Sequence, residues 1–125
     1  DTGPKEIIRA TIESVAYQTS DLFLSMRKDG LNPKSVKVDG GMVSNNWFVQ
    51  FLSEILKIKI TRSKINETTA LGAAYMAGYQ TGIYRSLSDI KQNWKKDRDF
   101  KPKFNKSYRN KLLQGWQQAI KKTLA

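Results

Sequence analysis

A strand that runs into two glycines and out into a helix constrains this chain more than any other feature. Residues 38–46 read Val-Asp-Gly-Gly-Met-Val-Ser-Asn-Asn. Residues 35–39, with Val36 and Val38, predict a short strand. Residues 45–57 predict a helix, because Phe48, Phe51, Leu52, Ile55 and Leu56 share one helical face. Strand, glycine turn and helix start in this order can bring backbone close to a nucleotide or a phosphate. Gly40 and Gly41 permit positive φ and leave no side chain to block a flat ligand. The first turn of the helix offers free N–H groups at the positive end of its dipole, and no acidic residue follows until Glu54. Asn45 can either cap the helix or read an adenine edge, since its amide both donates and accepts. Asp39 can orient the loop, touch a ribose, or fill a capping or turn role. Alone, the motif is also an ordinary strand-to-helix turn. It is neither a Walker loop nor a Gly-x-Gly-x-x-Gly fingerprint.

The flanking segments alternate. Residues 4–29 predict a helix with Ile8, Ile12, Val15, Thr19, Leu22 and Met26 in one row, Pro4 in the first turn and Gly30 as the stop. Residues 57–61 alternate Lys and Ile before Thr61 and predict an edge-like or half-covered strand with Ile58 and Ile60 on its dry face. Residues 67–82 predict a helix striped with Ala70, Ala73, Ala74, Ala77 and Gly78, with Gly72 as a further gap, a pattern expected to let another backbone approach closely. Glu67 opens that helix favourably against its dipole. Leu87–Trp94 predicts a short helix capped by Ser88. Residues 95–103 are charged, contain Pro102 and predict a loop. Residues 105–124 predict a terminal helix anchored by Tyr108, Leu112, Leu113, Trp116 and Ile120. The expected organisation is an α-β-α-β-α core over 1–84 and a basic helical extension over 85–125. Alternation implies parallel strands with a right-handed crossover. Two strands do not make a stable open sheet, so further strands are expected before Asp1, and open sheet edges favour self-association.

Composition narrows the chemistry. With no Cys and no His among 125 residues, thiolate metal sites, disulfides and His-based nucleophilic catalysis are excluded. No apolar run approaches the length of a membrane span, no secretory signal is visible, and a cytoplasmic protein is expected. The net charge of +11 is uneven: −1 over residues 1–56, +3 over 57–84 and +9 over 85–125. A basic tail of this kind either binds nucleic acid or is a solvated, lysine-rich helical surface. Its lysines outnumber its arginines and no recognition motif is present, which favours the solvated surface. Phosphoryl transfer needs a metal-holding carboxylate and a base for the attacking hydroxyl. The sequence places neither.

Three segments together are more specific than the loop. Ile7–Thr19, Val38–Asn46 and Thr69–Gly78, followed by Phe100-Lys101-Pro102 and Gly115-Trp116, resemble in order and spacing the C-terminal part of the FGGY carbohydrate kinases. The Asp before Gly-Gly and the Asn-Asn after it resemble the glycerol kinase branch more than the xylulose or gluconate branches. The resemblance implies a ribonuclease H-like, actin-like ATPase fold whose first three strands lie outside this chain. It implies nucleotide contacts at Gly41 and Asn45, with Gly40 shaping the loop. It also implies ATP or ADP with Mg2+ as cofactors, glycerol as substrate of the full enzyme, and the remainder of the kinase chain as partner. No catalytic and no metal-binding residue is expected within these 125 residues, so the chain alone is expected to be inactive. The alternatives are another FGGY sugar kinase and a basic nucleic-acid-binding module.

Overall fold

The second helix of this chain is buried on nearly every side, and the other elements assemble against it. The computed structural model describes residues 2–65 and 67–124. Its elements are α1 (Pro4–Lys28), β1 (Ser35–Val38), a 3-10 turn (Gly41–Ser44), α2 (Asn46–Leu56), β2 (Lys59–Ser63), α3 (Thr68–Gln80), α4 (Leu87–Gln92), β3 (Lys96–Phe100) and α5 (Lys106–Leu124). The α2 face expected from periodicity is buried in full: Phe48, Phe51, Leu52, Ile55 and Leu56, with Val49, Ser53 and Glu54 buried as well.

The sheet has the order β1-β2-β3. β1 and β2 are parallel, as the crossover through α2 requires, with Val36 opposite Ile60 and Val38 opposite Arg62. β3 runs antiparallel to β2, with Phe100 opposite Ile60 and a register irregularity at Arg62/Ser63. Val36, Ile60 and Phe100 therefore line one face, where they meet the α2 core. The opposite face carries Lys37, Thr61 and Asp99. There Thr61 Oγ1 donates to Asp99 Oδ1 at 2.7 Å, and Lys37 Nζ lies 3.7 Å from the centre of the Trp94 ring. The Thr61 hydroxyl, then Lys96, hold the Asp99 carboxyl below the usual carboxylate range.

β3 is a correction, since residues 95–103 read as a loop. Lys96, Asp97 and Arg98 are exposed and Phe100 alone is buried, so no apolar alternation announces the strand. Backbone pairing with β2 makes it, and Pro102 falls after its end. β2 is consequently the central strand and not edge-like. It begins at Lys59 because Lys57 takes a left-handed conformation (φ 56°) at the end of α2. α4 is capped by Ser86, not Ser88: Ser86 Oγ accepts from Asp89 N at 3.2 Å, and Asp89 Oδ2 accepts from Ser86 N at 3.0 Å. The fully buried residues of α1 are Ala16, Tyr17, Ser20 and Phe23; of the expected row Ile12, Val15 and Met26 pack against the core at its edge, while Ile8 and Leu22 are about 60% and 59% exposed. The cause is aromatic. Tyr17 meets Phe51 edge-on and stacks on Trp116, while Asp21 accepts from Trp116 Nε1 at 2.7 Å. Burial, aided by Glu13, pushes the Tyr17 hydroxyl well above the usual tyrosine range.

Two expected contacts differ further. In α3, Ala70, Ala73, Ala74 and Ala77 are exposed, and only Gly78 is buried. A Cβ at Gly78 would lie 2.8 Å from the Tyr84 ring, so close approach is confined to that one position. In α5, Leu112, Leu113 and Trp116 reach the core, whereas Tyr108 is exposed.

The C-terminal segment is tied to α2 by polar groups. Ser53 Oγ donates to Ile58 O at 2.8 Å and has Phe100 O at 3.2 Å. The Glu54 carboxylate accepts from Gln50 Nε2 and Lys103 N, and from Phe104 N at 2.7 Å. Arg109 Nε donates to Ile55 O at 2.7 Å. Replacing Glu54 with Ala strands the backbone donors of Lys103 and Phe104. It should cost about 2–4 kcal/mol, read as a lower urea midpoint at unchanged slope. A midpoint equal to wild type would show that this carboxylate does not hold the segment.

Candidate functional site

The double glycine is built as a sharp exit from β1. Gly40 has φ 94° and ψ 175°, a region that essentially only glycine occupies. Gly41 does not share it. Of the two glycines that permit positive φ, Gly40 uses it. Gly41 instead opens the 3-10 turn, is exposed, and would present a Cβ to open space, with no atom of the described residues beyond its chain neighbours within 4 Å. Its missing side chain therefore serves nothing inside the chain and leaves clear backbone on the surface.

The turn closes on itself before α2 begins. Ser44 Oγ donates to Gly41 O at 2.7 Å, and Asn45 N donates to Met42 O at 3.2 Å. Val43 is buried beneath the turn and fixes it to the core. Asn45 caps α2: its Oδ1 accepts from Trp47 N at 3.0 Å and Phe48 N at 3.2 Å. Of the two roles the sequence left open, capping uses the acceptor. The donor end, Nδ2, remains on an exposed residue. Gly40, Gly41 and Asn45 thus lie on a single turn, with Gly41 and Asn45 outward. Asp39 lines a small recess of about 70 Å3 with Lys37, Val38, Ser63 and Trp94.

Arg62 on β2 completes the arrangement and was missed in the sequence. Its Nη1 donates to Val43 O at 2.7 Å and Ser44 O at 3.2 Å. Its Nε and Nη2 both sit 2.7 Å from Asp97 Oδ2 on β3. A signal existed: strand alternation puts Arg62 on the dry face with Ile60, where a cation needs partners. A shallow polar recess of about 220 Å3 lies beside it, lined by Ser44, Arg62, Ser63, Lys64 and Asp97. A recess of about 600 Å3 between α1 and α5 includes no residue of the glycine turn. Among the described residues, no three carboxylates converge to hold a metal ion.

The fold is that of a mixed α/β domain. It is similar over 88% of its length to a ligand-bound xylulose kinase from Lactobacillus acidophilus, with a TM-score of 0.70 at 23% identity, a likeness of fold alone. Residues 1–81 match the model of the C-terminal domain of the FGGY family of carbohydrate kinases, and the chain belongs to that family. It is 49% identical over 122 residues to glycerol kinase 1 of Pseudomonas aeruginosa, covering 98% of this chain and 25% of that protein. It is 44% identical over 125 residues to glycerol kinase of Bacillus subtilis, covering 99% of this chain and 25% of that one. Among solved structures it is similar to Plasmodium falciparum glycerol kinase with ADP, with a TM-score of 0.84 at 36% identity over 100% of this chain and 25% of that one. The chain spans about a quarter of the length of these relatives.

The backbone at Gly40 gives a stability prediction independent of any ligand. Gly40→Ala should lose about 1–3 kcal/mol in urea unfolding. An unchanged midpoint would mean that the exit from β1 relaxes to another conformation.

Proposed function

We propose that this chain is the nucleotide-binding part of an ATP-dependent glycerol kinase. The observation that carries the reading is the Gly40–Asn45 turn, which presents clear backbone at Gly41 and the free amide donor of Asn45 side by side. The turn lies in a chain similar along its whole length to a glycerol kinase solved with ADP. On this reading the adenosine lies against Gly41, Asn45 Nδ2 donates to it, and Gly40 shapes the turn. The whole enzyme transfers the ATP γ-phosphoryl group to a terminal hydroxyl of glycerol, giving glycerol 3-phosphate and ADP.

The parts of that reaction divide unevenly. This chain supplies one wall of the nucleotide cleft, and closure against the remaining kinase chain excludes water that would compete with glycerol. Mg2+ neutralises phosphate charge in such reactions. On this reading its ligands and the base for the hydroxyl belong to the rest of the kinase. The fold is assigned to the ribonuclease H-like, actin-like ATPase group. Residues 1–84 carry the α-β-α-β-α order and 85–125 belong to the same domain, with β3 joining the sheet and α5 packing on the core. The setting is cytoplasmic, and the open edge of β1 favours self-association. No described helix is long and apolar enough to cross a membrane.

Glycerol is preferred over a sugar because the glycerol kinases compared are 36–49% identical, whereas the xylulose and gluconate kinases are each 23% identical and share the fold alone. The basic C-terminal third is not assigned to nucleic acid. Lys96 pairs with Asp99 at 3.1 Å, Arg98 lies over the Phe100 ring, and Arg109 is turned inward to Ile55.

Titrating ADP into the purified chain should move the amide resonances of Gly41 and Asn45 before any others. Gly41→Ala should weaken that binding and leave the urea midpoint unchanged, because the added methyl meets only the ligand. Shifts centred on the α1–α5 recess, or equal ADP binding by Gly41→Ala, would contradict the assignment.

A further inference from the structure

We infer that Arg62 is a positioning residue for the nucleotide turn, with Asp97 as the group that sets its fork. This inference rests on the nucleotide reading above and deepens it. The chain between the 3-10 turn and α2 changes direction at Ser44 and Asn45, a joint where carbonyl groups fall outside regular helical bonding. The carbonyls of Val43 and Ser44 point across to β2, and a single nitrogen of Arg62 donates to both, at 2.7 and 3.2 Å. Those bonds hold the two peptide planes that immediately precede Asn45. The side-chain cap, from Asn45 Oδ1 to Trp47 N and Phe48 N, holds the same residue from the other side. Between them, the direction of Asn45 Nδ2 and the exposed face of Gly41 are set before a ligand arrives.

The guanidinium suits this work because it is planar and rigid. Nη1 reaches the turn while Nε and Nη2 both lie 2.7 Å from Asp97 Oδ2, and the cation is 5.4 Å from the centre of the Phe100 ring. The Arg62 side chain is only 13% exposed, so water does not replace these bonds as it does at the Arg9–Glu13 pair, where the arginine is 64% exposed. Asp97 lies on β3, within the basic C-terminal third that the nucleotide reading otherwise leaves without a part. That strand thereby acts on the nucleotide turn, from the far side of β2, without touching the nucleotide. A lysine at position 62 keeps the charge but is a point donor on a flexible stem. It can reach the carboxylate or a carbonyl, but cannot fix both at the fork's geometry.

The test compares wild type, Arg62→Lys and Asp97→Asn by amide-resolved ADP titration and urea unfolding. Arg62→Lys should weaken ADP binding about tenfold, the loss of roughly one charge-assisted hydrogen bond. It should shift the free-state amides of Ser44 and Asn45 and leave those of Ile55 and Ile60 in place. Asp97→Asn should weaken ADP binding by a smaller factor and move the same amides. A role in stability alone predicts lower urea midpoints with wild-type ADP affinity in the folded variants, and that result would overturn the inference while leaving the nucleotide reading intact. A wild-type chain whose Gly41 and Asn45 amides ignore ADP would overturn the nucleotide reading, and this inference with it.

Discussion

Helix α2 buries polar groups as well as apolar ones, and those polar groups decide what packs on it. Ile55, Ile60 and Val49 are fully buried and exclude water from the centre of the chain. A purely apolar helix there would accept many neighbours. Ser53, Glu54 and the carbonyl of Ile55 accept few. They bind the end of β3, the backbone of Lys103 and Phe104, and the guanidinium of Arg109. Each group is buried or half-buried, so an alternative packing that leaves it unpaired is penalised by the cost of desolvation. None of the buried side-chain polar atoms among the described residues lacks a partner.

The same helix positions the candidate site. Its N-terminus begins where the glycine turn ends, so the core that fixes α2 also fixes Asn45. Its C-terminal half holds β3, and β3 presents Asp97 to Arg62. The turn is therefore held at three points: Val43 in the core, the Asn45 cap, and the Arg62 fork. Gly41, Met42, Ser44 and Asn45 are exposed along its outer side. A surface made rigid in this way binds a flat ligand without first paying to order a loop.

What could be read from the sequence depended on whether apolar period or tertiary pairing made each element. α1, β1, α2 and α5 carry their own periodicity and are found where it puts them. β3 is formed by charged residues whose one buried member, Phe100, cannot make a pattern by itself. On α1 the expected row is found in part: Ile12, Val15 and Met26 pack against the core, but aromatic contacts with Phe51 and Trp116 centre the buried face on Tyr17 and leave Ile8 and Leu22 exposed. The glycine turn and the helix start at Asn45 were legible because strand, glycine and helix start are local signals. Arg62 was not, since its partners lie 18 and 19 residues earlier in the chain and 35 residues later.

The central claim is that the Gly40–Asn45 turn is the surface on which a nucleotide lies. A crystal structure of the chain, alone or within its kinase, grown with ADP tests it most directly. The account predicts the adenosine within about 4 Å of Gly41 and within hydrogen-bonding distance of Asn45 Nδ2. It also predicts the turn in the conformation described here and Arg62 still bridging Val43, Ser44 and Asp97. ADP bound elsewhere, such as the recess between α1 and α5, or a turn rebuilt around the ligand with Arg62 released, would contradict it.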